Sequence, residues 1–316
     1  MKNLFKKILL LIIILITIDF CVGLILNVVL VNSPDGRYFK AEYSLGRSTE
    51  DIIVFGSSRA ETNYAPYIFE DSLKLTCWNT GRGGQTLPFW YAMEQGILSR
   101  YTPKIAIVNV ERDFLSDDLS FSYEHSGFLR PFYYNHPEIR TVINKISKFE
   151  RLLLLSKTYA YNSSFYYLFR PYLIKGLDGD REDNGWKTKH GIIQKSESEP
   201  QKYKTNFKLS QNTLELFEIF INDLTNKGCK VYVVVSPNYG HFVESTATIN
   251  HIKAMKDIKF INFSNDSLFI RNNEYFKDNN HLNVNGAIEF SKHVSNEILK
   301  LENKVSTLKQ TKNIVQ

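Results

Sequence analysis

Cysteine is scarce in this chain: three residues in 316, Cys21, Cys77 and Cys229. No two of them stand as C-x-x-C, which excludes a zinc-ribbon or dithiol redox motif. Cys77 and Cys229 fall in or beside apolar, strand-like runs. They read either as buried small hydrophobes or as one disulfide in an oxidising compartment. The seven histidines include no H-x-x-x-H pair, so no helical metal site is written here. Neither metal nor nucleotide is implied, and the expected cofactor list is empty. Charge of one sign is also lacking. The net charge is +6, the basic residues are scattered, and no stripe suited to nucleic acid emerges.

What is present suits a packed domain. Hydrophobic residues make up 43% of the chain, enough for a core in one large domain or one domain with an insertion. Aromatic residues reach 14%, which points to a broad ring-lined surface or groove.

The N-terminus decides the compartment. Lys2, Lys6 and Lys7 precede an apolar run over residues 8–31. As a helix that run would rise about 36 Å, more than the roughly 30 Å of a hydrocarbon core. Lysines on the short side predict a cytoplasmic segment 1–7 and a remainder outside the membrane. A cleaved signal peptide is the competing reading. The run continues past any short h-region, and Ile18-Asp19-Phe20 lacks the small residues expected before a lipid-modified Cys21, which favours an uncleaved anchor. Asp19 interrupts the run, and a carboxyl near mid-membrane is costly. It either docks against a membrane partner, or sits protonated, or shifts with the helix toward an interface.

Residues 32–50 are polar, carry Ser33-Pro34-Asp35-Gly36, and read as a linker. From Asp51 the pattern becomes regular. Strands are predicted at 51–55, 73–78, 104–110, 230–235 and 258–261, with helices at 66–74, 87–100, 212–227 and 286–301. Residues 114–205 lose this rhythm and read as an aromatic-rich, partly helical insertion. The insertion is either a sugar-stacking lid or ordinary core. Residues 302–316 read as a polar tail. Strands alternating with helices predict an α/β domain over 51–301, with a parallel sheet and helices on both faces, a three-layer flavodoxin-like arrangement. Ligands of such sheets bind beyond the carboxyl ends of the strands.

Three segments at those ends carry chemistry. Gly56-Ser57-Ser58-Arg59 follows the first strand, and such a turn offers a hydroxyl at the sheet mouth. The plainer alternative is a serine helix cap. Asn79 to Thr86 follows the second strand with three glycines. A glycine N–H and the Asn79 side chain would suit a developing oxyanion there. Asp278-Asn279-Asn280-His281 precedes the last helix, and a carboxylate three residues before a histidine can orient its ring.

Taken together, Gly56-Ser57-Ser58, Asn79 through Thr86, and Asp278 with His281 resemble the blocks of the SGNH, or GDSL-like, hydrolase superfamily. The resemblance spans residues 51 to about 300, leaving out the insertion. It implies Ser58 as nucleophile, His281 as base, Asp278 as its orienter and Gly84 as an oxyanion-hole glycine. One block departs. Where the family carries an asparagine after the third strand, this chain reads Val110-Glu111-Arg112-Asp113, with Asn109 still inside the strand. Either Arg112 or another residue substitutes, or the hole has fewer donors.

An anchor followed by such a domain is similar to the membrane-anchored relatives in bacterial cell-envelope modification, among them DltD-like and alginate O-acetylation proteins. That implies a single-pass protein of the bacterial cytoplasmic membrane. It would be a serine esterase or O-acyltransferase acting on envelope polysaccharide or another acylated carbohydrate, with a multi-spanning acyltransferase as a further partner. The alternative is a non-catalytic glycan-binding or acyltransferase-partner protein on the same scaffold. Arg59, Arg112, Asn238 and His241 are candidates for substrate contact. Arg59 either binds an anionic group or pairs with Glu61 or Asp113, and His241 either lines the pocket or is an exposed loop histidine.

Overall fold

A computed structural model describes every residue except 112, 113, 117, 163, 175, 177–180, 182, 195–207, 241–245, 271, 315 and 316, and omits the side chains of 246 and 305–314. Helix α1 (Lys2–Val31) leads into α2 (Gly36–Gly46), then β1 (Ile52–Phe55), α3 (Ser58–Asn63), α4 (Pro66–Leu73), β2 (Cys77–Asn79), α5 (Leu87–Leu98) and β3 (Ile105–Val110). Short α-helices α6 (Leu119–His125), α7 (Arg140–Ile143), α8 (Glu150–Leu153) and α9 (Phe165–Leu173) alternate with 3-10 turns in the insertion. The rest is α10 (Gln211–Asn226), β4 (Lys230–Val235), α11 (Thr246–Ala254), β5 (Ile258–Asn262) and α12 (Val284–Ile314).

The five strands form one parallel sheet in the order β2-β1-β3-β4-β5. Alternate residues of each inner strand face opposite cores. Ile53, Phe55, Val108 and Val233 join Phe39 of α2, Met93 of α5 and Phe220 of α10. Ile52, Val54, Ile107 and Val234 join Ala60 of α3, Phe69 of α4 and Phe290 of α12. Burial on both faces explains why β1, β3 and β4 are mostly apolar instead of alternating, with Asn109 the one buried amide in β3. In this order β1 and β3 are neighbours whose connections leave to opposite sides, so their carboxyl ends open onto the crevice where open α/β sheets bind ligands.

Three expectations need correction. Residues 32–50 are not a linker: α2 is buried along most of its length. Tyr38, Ala41 and Leu45 give it an apolar stripe at helical spacing. Its polar side chains have distant partners. Lys40 donates to the Gly185 carbonyl, Ser44 accepts from Trp78 Nε1, and Glu42 pairs with His136. The second strand begins at Cys77 and not at 73, because α4 runs through Leu73 and stops at a left-handed Lys74, φ 56°. The tail from 302 continues α12 to Ile314, and Glu302 takes bonds from Lys230 and the Tyr232 hydroxyl.

Cys77 and Cys229 form no disulfide. Both are buried free thiols, Cys77 in β2 and Cys229 just before β4, with β1 and β3 between those strands. Helix α1 is long and apolar enough to cross a membrane. The aromatics of the insertion divide. Phe132 and Tyr161 are core, whereas Phe165 and Tyr166 are exposed.

Candidate active site

The site begins where β1 ends. Gly56 turns the chain at φ +147°, and a Cβ there would come within 2.6 Å of Ala60 Cβ and 3.0 Å of the Asn109 carbonyl oxygen. Only glycine lets the chain turn this tightly against β3. Ser58 is then the first residue of α3. Neither serine acts as a side-chain cap of that helix. The Ser57 hydroxyl donates to Glu111, just past β3, while the Ser58 hydroxyl faces His281.

The histidine arrives from the loop before α12. Asp278 accepts from the N–H groups of Asn280 (2.9 Å) and His281 (3.0 Å), which folds the four residues into one turn. Asn283 closes the turn by accepting from the Gly286 N–H at the start of α12. Within it, His281 Nδ1 lies 2.9 and 3.0 Å from the two Asp278 oxygens, and Nε2 lies 2.8 Å from Ser58 Oγ. With Nδ1–H donating to the carboxylate, Nε2 accepts the serine proton. Partial burial pushes the Asp278 carboxyl up. The hydrogen bonds from the His281 ring and the Asn280 N–H outweigh this and hold it at about 2, so it is ionised at neutral pH.

Asn63, at the end of α3, locks the two halves together. Its buried Oδ1 accepts from the Leu282 N–H at 3.1 Å, next to the histidine. The Tyr239 N–H, after β4, donates to the Asn279 carbonyl at 3.0 Å and ties a third strand end to the same turn.

The glycine loop lies against α3. A Cβ on Gly83 would stand 3.4 Å from Ser58 Cβ, and one on Gly81 only 2.7 Å from Ala60 Cβ and from the Glu61 nitrogen. The Gly83 N–H donates to Glu61 at 2.9 Å, and Lys40 of α2 stands 3.9 Å from the other Glu61 oxygen. Gly84 follows at φ +73° with open space around it, and its N–H donates to no described residue.

Compared with known proteins, the chain matches no family model and no curated relative. The site stands on its own geometry.

Ser58, His281 and Asp278 are thus brought together, and Gly84 follows Gly83, the glycine of the loop that stands against Ser58. Asn79 is not available as an oxyanion donor. It is fully buried, its Nδ2 donates to the Ala60 and Tyr64 carbonyls, and its Oδ1 accepts from the Gly81 N–H. It shapes the glycine loop instead. Arg59 is also withdrawn from substrate. It is 5% exposed and donates to the Ser236 and Pro237 carbonyls, so it fastens α3 to the end of β4. Asn238 is buried beside those carbonyls at 4% exposure. Arg112 and His241 lie outside the described residues. Asn109 does not stand in for the missing asparagine: it is fully buried in β3 and accepts from the Tyr64 hydroxyl at 2.8 Å. With Asn79 and Asn109 committed elsewhere, backbone N–H groups at the start of α3 and in the glycine loop are the candidate oxyanion donors.

Asn63 and Lys40 escaped sequence reasoning, and Glu61 entered it only as a partner for Arg59, whereas it bonds Gly83 and faces Lys40. The i, i+3 spacing of Ser58 and Glu61 is the one local signal among them. The Asn63 partner is 219 positions away. A depression of about 410 Å³ between Gly228, Lys230 and Glu302 lies at the amino ends of the strands and contains none of these groups.

Proposed function

We propose that this chain is a membrane-anchored serine esterase or O-acyltransferase of the SGNH type, acting outside the bacterial cytoplasmic membrane on acylated cell-envelope polysaccharide. One observation carries the reading: Ser58 Oγ, His281 and Asp278 form an unbroken hydrogen-bonded relay at the carboxyl end of β1.

In the reaction, His281 Nε2 takes the Ser58 proton as Oγ attacks the ester carbonyl carbon. Asp278 stays ionised and stabilises the imidazolium. The N–H groups of Ser58 and Gly84 hold the oxyanion. Collapse of the tetrahedral species breaks the ester C–O bond, and the leaving alcohol takes its proton from His281. The acyl group, now on Ser58, passes to water in an esterase or to a glycan hydroxyl in a transferase, with His281 again as base. A multi-spanning membrane acyltransferase is the partner that would hand acyl groups to such an anchored enzyme.

A second reading has its own support. The commitment of Asn79 to the loop, and the absence of a block-three asparagine, remove the two asparagine donors expected for the oxyanion. One missing donor costs about a hundredfold or more in rate. A non-catalytic glycan-binding or acyltransferase-partner protein on this scaffold would tolerate that loss. A serine-reactive fluorophosphonate separates the two. Labelling of the wild type and none of Ser58→Ala supports the enzyme. Equal labelling, or none in either, favours the binding protein.

A further inference from the structure

Asp19 stands in the middle of the apolar run of α1, yet it has four donors. They are the Ser156 hydroxyl at 2.7 Å, the Lys157 N–H at 2.7 Å, the Thr158 N–H at 3.1 Å and the Thr158 hydroxyl. One turn on, Gly23 meets the same segment so closely that a Cβ would fall 2.2 Å from Lys157 Cβ. Asn27 accepts from Asn135 at 2.7 Å, and the Tyr172 hydroxyl donates to the Val29 carbonyl at 2.7 Å. The expected docking partner of Asp19 is therefore in the same chain. One face of the helix, from Asp19 through Gly23 and Leu26 to Leu30, is laid on the domain.

The other face of that half stays apolar and open. Phe20, Leu24, Ile25 and Val28 are 48%, 49%, 62% and 60% exposed. Hydrocarbon is the surrounding such a face favours. From Ile8 to Val28 the helix rises about 30 Å, the thickness of a bilayer core. On that placement Val28 marks the outer boundary and Asp19 lies about 13 Å beneath it. Whatever is bonded to Asp19 lies at that depth too.

We propose that residues 149–162 and 164–174 of the insertion are themselves sunk in the outer half of the bilayer, as a lipid-facing platform beside the anchor. Its exposed apolar side chains suit acyl chains: Phe149, Leu152, Leu155, Phe165 and Leu173 are 56%, 65%, 75%, 48% and 81% exposed, and the exposed Arg151 among them would reach its charge toward the headgroups. Its backbone suits them as well. Every N–H from Leu152 to Tyr159 donates within the protein, those of Lys157 and Thr158 to Asp19. Irregular chain survives at membrane depth only on that condition. The same bonds explain the carboxylate: with four donors it needs no water. The Lys157 ammonium rests 3.1 Å from the centre of the Tyr134 ring, a partner that does not depend on solvent. The bilayer would then hold the domain at a set height and tilt, where a free helical tether would leave it loose. The proposal rests on α1 crossing a membrane and is independent of the chemistry of Ser58.

Tryptophan quenching tests it. Trp78, Trp90 and Trp186 are each at most 4% exposed, so they give a constant background. The full chain is reconstituted alone into phosphatidylcholine vesicles brominated along the acyl chains, carrying Ile13→Trp, Leu155→Trp, Leu173→Trp or, across the sheet on α12, Lys292→Trp. The added emission at 13, 155 and 173 should be lost relative to unbrominated vesicles, and that at 292 retained. Quenching at 13 with full emission at both 155 and 173 would overturn the platform and point to water or a membrane protein as its neighbour. Full emission at 13 would remove the anchor and the platform with it. Fluorophosphonate labelling of the same vesicles reports separately on Ser58.

Discussion

His281 Nε2 stands 2.8 Å from Ser58 Oγ although 223 positions of sequence separate the two residues. The contact depends on Asp278, which fixes the ring from behind. Asp278→Asn should lower turnover of an ester substrate about 10³- to 10⁴-fold, since the amide no longer fixes the tautomer. The same change alters acid stability. The carboxyl titrates near 3.8 in the unfolded chain and at about 2 in the fold. A depressed folded pKa contributes stability that is present above the unfolded value and lost as pH falls through the folded one. Urea unfolding from pH 5 to pH 1.5 should therefore show a steeper loss for wild type than for Asp278→Asn between about pH 4 and 2. Parallel curves would mean that the pairing does not form.

Arg59 beside the nucleophile invites a substrate-binding role, but the side chain is buried and its Nη2 donates to the Ser236 and Pro237 carbonyls. Hydrogen bonds to charged groups are worth about 1.5–3 kcal/mol each. Arg59→Leu should cost about 2–3 kcal/mol of unfolding free energy, read by denaturant titration. The ratio of KM values for an anionic and a neutral ester should stay unchanged. A shift of that ratio toward the neutral ester would return Arg59 to the substrate.

Gly81 and Gly84 make opposite demands. A methyl on Gly81 would strike Ala60 and the Glu61 backbone, so Gly81→Ala should push the loop away from Ser58 and cut kcat at least about tenfold, the scale of a 1.4 kcal/mol loss. Gly84 has open space but a left-handed backbone. Gly84→Ala should cost about 1 kcal/mol in stability while keeping its N–H and most of the turnover. Equal kinetic effects would show that the loop does not approach the nucleophile as described.

Legibility followed the range of the interaction. Strands β1, β3 and β4 were readable to within a residue, because strands buried on both faces are apolar along nearly all their length. Ser58, Asp278 and His281 were readable because each sits in a short motif at a strand end or before a helix. Helix α2 was hidden by its own polar residues. Lys40, Glu42 and Ser44 look like a solvated linker until Gly185, His136 and Trp78 reach them. Asn79 misled for a related reason: position made it a candidate donor, while the Ala60 and Tyr64 carbonyls had already taken its amide.

By itself the sequence determined what depends on neighbours along the chain: an apolar helix long enough for a bilayer, an alternation of buried strands and helices, and the chemical groups offered at the strand ends. Hydrophobic burial is non-directional and follows composition and period, which are local. Tertiary structure alone decided where each polar group spends its hydrogen bonds. Those bonds are directional, and their partners lie far off in sequence: His281 on Ser58, Arg59 on the end of β4, and Asp19 on the loop at 156–158.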